Sequence, residues 1–517
     1  MIHNKADLVL ISSSIFTSLS NEPQNGFIAI QGENIIKVGK GDDYKAYADD
    51  RTSVINLGDK TVCAGFTDTH TFFTGYVIDK LGINLGSIDE ESDLETLLYQ
   101  YYQKTKHKEA IFGNNLPDKF LKSEILHSMI ERISPNKPVV LFNSGHSTCV
   151  MNQAAINTFG FNPDKCNSEA LHKIMKLYLT DREFIDDEFT DYMKMLNKRG
   201  ITAVKEMGFD DFYGFTEVLD HFDKQNKLTV RISFMSQPVG SKTNISYGKE
   251  MREKFNSEFV QFSGYNQMTD GLILNKQGHL LNPYEGTNTC CEKAIDYKSI
   301  EEEVLEADRN GFRFTLHSEG DGAFHQILNI YEKCEKISGK LKNRHGITDL
   351  EMTSLEDRRR MADLGAFGEI YTQIYKYDPY EIYQYEYEKV IGKTRTSEYL
   401  NYRDLVDKGV ILAAATDLPL LIPSVPEAIY YGCANYCKDK KERMNPNNAL
   451  TIPEMLKAWT INAQYALERD NILGTLEEGK RADIVVFDSN IFTIPIEQML
   501  DVNTEITIVN GKIVYSK

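Results

Sequence analysis

Thr61-Val-Cys-Ala-Gly-Phe-Thr-Asp-Thr-His70 is a run of strand length that ends in an acid and an imidazole. Three later runs share the design. Gly311-Phe-Arg-Phe-Thr-Leu-His317 ends in a histidine, His345-Gly-Ile-Thr-Asp349 in an acid, and Gly409-Val-Ile-Leu-Ala-Ala-Ala-Thr-Asp417 in an acid followed by Leu-Pro. Each places a metal-capable side chain at the C-terminal end of an apolar or β-branched run. Strands that alternate with helices form parallel sheets, and in a closed barrel of eight such units the strand C-termini converge on one face, where chemistry sits. The expectation is that these four ends meet around one site.

Eight strand candidates lie between the chain ends, at 61–70, 200–208, 228–235, 258–266, 311–317, 344–350, 365–372 and 409–417. From the second onward they are separated by helix-patterned segments such as Phe215 to Asn226 and Ser299 to Asn310. The predicted fold class is therefore α/β, a (β/α)8 TIM barrel. The gap between the first two candidates is too long for one crossover. Residues 78–195, acidic, aromatic and helix-rich, read as an α/β domain inserted above the barrel mouth, since βα loops beyond about 15 residues are usually functional insertions. The two ends are rich in short strands, among them Ala6–Ile11, Gly26–Ile30, Asn34–Gly39, Gly479–Phe487 and the Asn510-Gly511 hairpin. Neither end has enough apolar residues for its own core, so together they should build one β-sandwich. The expected boundaries are 1–60 and 473–517 for the sandwich, 61–77 for barrel strand one, 78–195 for the insertion and 196–472 for the rest of the barrel.

Composition narrows the function class. A formal net charge of −18 argues against nucleic acid or an anionic membrane as the main partner. No apolar run approaches the roughly 20 residues of a membrane span. The N-terminus shows no signal-peptide pattern, and the eight cysteines form no disulfide or zinc-ribbon framework. A cytoplasmic enzyme with a small-molecule substrate is the expectation.

The order Gly65-Phe-Thr-Asp-Thr-His70, His317-Ser-Glu-Gly-Asp321, Thr416-Asp417, then Gly474-Thr-Leu-Glu-Glu-Gly-Lys-Arg-Ala-Asp-Ile-Val-Val-Phe487 resembles the amidohydrolase superfamily. Within it, the chain is similar to the family 3 branch that includes N-substituted formamide deformylases. Gly145-His-Ser-Thr-Cys-Val-Met-Asn152 resembles that branch's Gly-His-Ser segment, and Trp459-Thr-Ile-Asn-Ala-Gln-Tyr-Ala-Leu467 its C-terminal helix. The resemblance implies hydrolysis of an amide or other non-peptide C–N bond by metal-activated water. A homodimer is a family-level expectation.

Carried over residue by residue, the resemblance also shows departures. Strand one of the family ends His-x-His; here it ends His70-Thr-Phe72, and phenylalanine cannot ligate. The strand-four position, often a carboxylated lysine bridging two metals, maps near Asn266. His317 and Asp417 match the strand-five histidine and strand-eight aspartate. The strand-six histidine maps to Asp349, with His345 the alternative. A two-metal cluster needs a bridge and about three ligands per ion, so one divalent metal is the more economical site, held by His70, His317 and Asp417 with a position open for water, and with Asp349 as a fourth ligand or the group that holds the water. Two nitrogens with carboxylate suit zinc, with iron or manganese also compatible. Asp417 would act as general base, His146 would polarise the carbonyl, and Glu206, Asn266 and Phe72 would line the substrate. The same departures support a second reading, a divergent member without a metal that binds, regulates or runs metal-free chemistry. The six tyrosines between Tyr375 and Tyr387 read as a packed rim.

Overall fold

The computed structural model describes the chain except residues 1–4, 79, 106–107, 145–147, 161–165, 209–213, 239–240, 378, 420–422 and 440–441, and the side chains of 166–172. It divides into two compact units, one of residues 1–71, 193–208 and 223–517, the other of residues 72–192 and 209–222.

The first unit holds the barrel. Eight strands follow one another in hydrogen-bonded order: Phe66–Thr71, Ile201–Gly208, Arg231–Ser236, Val260–Gln267, Phe314–Ser318, Gly346–Asp349, Phe367–Ile370 and Ile411–Ala414. All neighbouring pairs are parallel. Five of these strands are buried at every position, as expected of a parallel sheet covered on both faces. The eighth strand returns to the first through Asp417 N–H to His70 O (3.0 Å), Thr69 Oγ1 to Ala414 O (3.0 Å) and a parallel bridge between Thr71 and Leu418. The expected barrel is thus present, and its seam is made by the residues at the strand-one and strand-eight ends.

The run read as one strand, 61–70, serves two sheets. Thr61–Ala64 joins the terminal sheet and Phe66–Thr71 the barrel. The break is at Gly65, where a Cβ would meet Thr202 Oγ1 at 2.3 Å, so only glycine lets the two sheets approach this closely. The terminal sheet has eight strands drawn from both ends of the chain. Leu8, Leu10, Ile28 and Ile30 from one end pack with Ile484, Val486 and Ile508 from the other, which is why neither end needed a core of its own.

The second unit has a four-stranded sheet, ordered Cys149–Met151, Val139–Asn143, Ile111–Leu116 and Ile83–Asn84, with helices that include Glu91–Lys104 and Glu124–Ile133. Its core is Leu94, Leu98, Leu116, Leu126, Ile130 and Leu141 among others. Among the described residues no helix is long and apolar enough to cross a membrane.

Candidate metal centre at the barrel mouth

The strand ends place the candidate groups. His70 leaves the first strand, His317 the fifth, Asp349 the sixth, and Asp417 lies three residues beyond the eighth. Asp349 and Asp417 both sit in left-handed backbone (φ +74° and +53°), and so does Leu350 (φ +51°). Bulky residues avoid that region, and such strain concentrates at functional sites.

Both imidazoles are held from behind by an acid. The Nδ1 of His70 is 3.1 Å from Glu369 Oε2, and that of His317 is 3.2 Å from Asp270 Oδ1, the latter within ion-pair reach but off hydrogen-bond alignment. Their Nε2 atoms face the mouth acids. His70 Nε2 is 3.9 Å from Asp417 Oδ1; His317 Nε2 is 3.6 Å from Asp349 Oδ2 and 3.8 Å from Glu319 Oε1. This is the carboxylate–histidine arrangement that orients metal-binding imidazoles. The two halves feel one another: the Asp417 carboxyl interacts electrostatically with His70, Asp349, His317 and Glu369. Tyr371 links them physically. Its ring stands edge-on to His70 (5.8 Å), and its hydroxyl is 2.5 Å from Thr348 Oγ1, which donates to Asp349 Oδ2 at 2.9 Å.

Two imidazole nitrogens and two carboxylates are donor types a divalent ion takes, but among the described residues no three of these four groups bring ligand atoms within 4.8 Å of one another. Ligands sharing a tetrahedral zinc lie roughly 3.3–3.5 Å apart, slightly closer than the 3.6 and 3.9 Å seen here. The four groups form two neighbouring pairs rather than one contracted cage.

Among the described residues, the ligand atoms that do lie within 4.8 Å of one another as a trio are those of Asp308, Cys334 and His345. The hydrogen bonding there excludes a metal. His345 Nδ1 accepts from Phe314 N–H (3.0 Å), so its Nε2 carries the proton toward Asp308 Oδ1 (3.0 Å), and no lone pair is left to ligate. His345 precedes the sixth strand and braces its N-terminal end. Asp349, at the opposite end beside Ser318, is the mouth residue.

Burial and proximity set the charges. Burial works against the His317 imidazolium, but Asp349, Asp270 and Glu319 outweigh it and lift the ring to about 9. Burial raises the Asp417 carboxyl above its ordinary value, against the pull of His70. Burial carries Asp68 to about 6, although Arg199 and Thr416 oppose the shift. Burial raises the Glu319 carboxyl to about 7, against the pull of His317, and burial, then Glu319 and Asp349, raises that of Glu351 well above its ordinary value.

The other sequence-predicted residues fall as follows. Glu206, at the end of strand two, is buried and accepts from Thr71 Oγ1 at 2.7 Å. Asn266 is buried on strand four; its Nδ2 donates to Gln237 Oε1 (3.1 Å), while its Oδ1 has no hydrogen-bond partner among the described residues. Phe72 is half-buried directly after strand one. His146 lies outside the described residues. Of the tyrosine run, Tyr375, Tyr383 and Tyr387 are buried and Tyr385 is exposed. Sequence reasoning missed Asp270, Glu369, Lys205 and Glu319. Their signal was a charge inside or just beyond an apolar strand run, which is costly unless paired.

The profile described as "Amidohydrolase family" matches residues 53–515. Protein LONG AFTER FAR-RED 3 of Arabidopsis thaliana is 23% identical over 99% of this chain and 92% of its own length. N-substituted formamide deformylase of Arthrobacter pascens is 19% identical over 99% of this chain and 98% of its own. An uncharacterized metal-dependent hydrolase from Pyrococcus horikoshii superposes with a TM-score of 0.74 at 16% identity, covering 95% of this chain and 99% of that one.

Proposed function

Because the chain belongs to the amidohydrolase family, we propose that it hydrolyses an amide or other non-peptide C–N bond of a small molecule, with one divalent cation, zinc first, held by His70, His317, Asp349 and Asp417. The observation that carries this reading is that His70 Nδ1 is hydrogen-bonded to Glu369, that His317 Nδ1 lies 3.2 Å from Asp270, and that both rings turn Nε2 toward a mouth carboxylate. A divalent ion would supply Lewis acidity toward water and a carbonyl oxygen there.

The chain's own groups do the rest. Asp417, its carboxyl raised by burial and so more basic than an exposed aspartate, accepts the proton of the attacking water and returns it to the leaving nitrogen. Asn266 Oδ1 accepts a substrate N–H, Glu206 orients a ligand polar group, and Phe72 packs against its apolar part. His146 is proposed to polarise the carbonyl, on its Gly145-His146-Ser147 setting alone. The protein is proposed to work in the cytoplasm, as a homodimer.

The test is a panel of small amides headed by N-substituted formamides. Asp417→Asn should lower turnover by at least about 10²-fold with Trp459 fluorescence unchanged. Wild type should bind about one equivalent of a divalent metal, lost in His317→Ala. Hydrolysis that survives Asp417→Asn would overturn the proton-transfer role. The open spacing of the donor pairs favours the competing reading, a metal-free binding or regulatory protein; wild type that takes up neither zinc, iron nor manganese would decide for it.

A further inference from the structure

We propose that Lys205 and Glu369 are positioning residues that fix the orientation and tautomer of His70. The inference rests on reading His70 as an imidazole whose Nε2 faces the reaction. Neither residue touches the mouth itself. Lys205 comes from strand two, Glu369 from strand seven and His70 from strand one, and their side chains meet inside the barrel with exposures of 0%, 0% and 8%.

Each oxygen of Glu369 has its own task. Oε1 takes the Lys205 ammonium and Oε2 takes His70 Nδ1 at 3.1 Å. A glutamate's terminal torsion is soft, and engaging both oxygens removes that freedom. The ammonium is itself placed, 5.7 Å from the centroid of the Phe367 ring. An ionised carboxylate only accepts hydrogen bonds. Nδ1 must therefore carry the hydrogen in the neutral ring, which leaves the lone pair on Nε2, the atom 3.9 Å from Asp417 Oδ1.

The second imidazole gives an internal comparison. Asp270, behind His317, is equally buried, but backbone N–H groups hold it: those of His279 (2.9 Å), Glu319 (3.1 Å) and Gly320 (2.9 Å). No backbone donor to the Glu369 carboxylate occurs among the described hydrogen bonds. Glu369 lies within a strand whose amides are committed to the sheet ladder. Lys205 does for Glu369 with a charged donor what three neutral amide donors do for Asp270, stabilising a buried carboxylate so that it remains an acceptor. An acid stands behind each imidazole, hydrogen-bonded to His70 and 3.2 Å from His317 Nδ1, and the means of holding the acid differs.

The experiment uses full-length, metal-stripped protein with ¹⁵N-labelled histidine, the His70 signals being assigned with His70→Gln. Wild type is expected to show His70 protonated on Nδ1 and bare on Nε2. In the double variant Lys205→Met/Glu369→Met, which removes both charges at similar volume, the ring should populate both tautomers, and the affinity for Co²⁺ or Zn²⁺ should fall about 10–100-fold. A purely structural pair would leave the tautomer and the affinity unchanged, and that result overturns the proposal. Wild-type His70 protonated on Nε2 also overturns it, whether or not the double variant folds. If wild type binds neither ion, the metal-dependent reading of the function fails, while the tautomer measurement still decides this inference.

Discussion

Removing Lys205 alone should be among the most damaging single changes available in the barrel. Lys205 and Glu369 are both fully buried. In Lys205→Met, the Glu369 carboxylate stays at zero exposure with the His70 ring as its remaining partner among the described contacts. Breaking a buried ion pair from one side typically costs about 3–5 kcal/mol, whereas replacing both partners with apolar groups is often near neutral. Here the double replacement also strands the His70 Nδ1–H, at about 1–3 kcal/mol. The expected order is therefore Lys205→Met at about 3–5 kcal/mol and Lys205→Met/Glu369→Met at about 1–3 kcal/mol, the second substitution recovering about 2 kcal/mol. The assay is guanidinium unfolding followed by fluorescence. The chain has one tryptophan, Trp459, fully buried in the unit that holds the barrel, so the signal reports that unit. A Lys205→Met cost under about 1 kcal/mol, or a double variant weaker than the single, would refute the buried-charge reasoning.

Three further outcomes follow from the same structure. His317 is lifted to about 9 in the metal-free protein, so a cation must displace its proton below that pH. Zinc affinity, measured by chelator competition, should rise by up to tenfold per pH unit from 7 to about 9 and then level off. Asp68 is raised to about 6 by burial. The folded state therefore binds the extra proton between about pH 4 and 6, and stability falls as pH rises through that window; Asp68→Asn should remove a decline of roughly 3 kcal/mol in denaturant melts of metal-stripped protein. His345→Leu strands the Phe314 N–H and one bond to Asp308. It should cost about 2–4 kcal/mol while leaving metal content by plasma emission spectroscopy the same; loss of metal would place the ion at the wrong end of the barrel.

The strand ends were legible because they are local. An apolar run that stops at an imidazole or an acid can be read from a few consecutive residues, and parallel strands in a barrel bring their C-termini to one face whatever the loops do. His70, His317, Asp349 and Asp417 were placed at or just past barrel-strand ends this way. The split at Gly65 was not, because it depends on how near Thr202 comes from a strand more than a hundred residues away. Nor was the choice between His345 and Asp349 decidable from sequence. Four residues of extended chain span roughly 13 Å, enough to put one at the floor of the barrel and the other at its mouth, but which is which depends on where the strand begins.

What the amino-acid order determined by itself was the barrel and the chemical kind of its rim, since both follow from short-range pattern and the geometry of parallel strands. What only the tertiary structure decided was which groups stand behind the rim. Asp270 reaches His317 from the loop after the fourth strand, and Glu369 with Lys205 reaches His70 from the seventh and second. Those pairings are set by barrel closure and by side-chain reach across its interior, and no local signal in the chain encodes them.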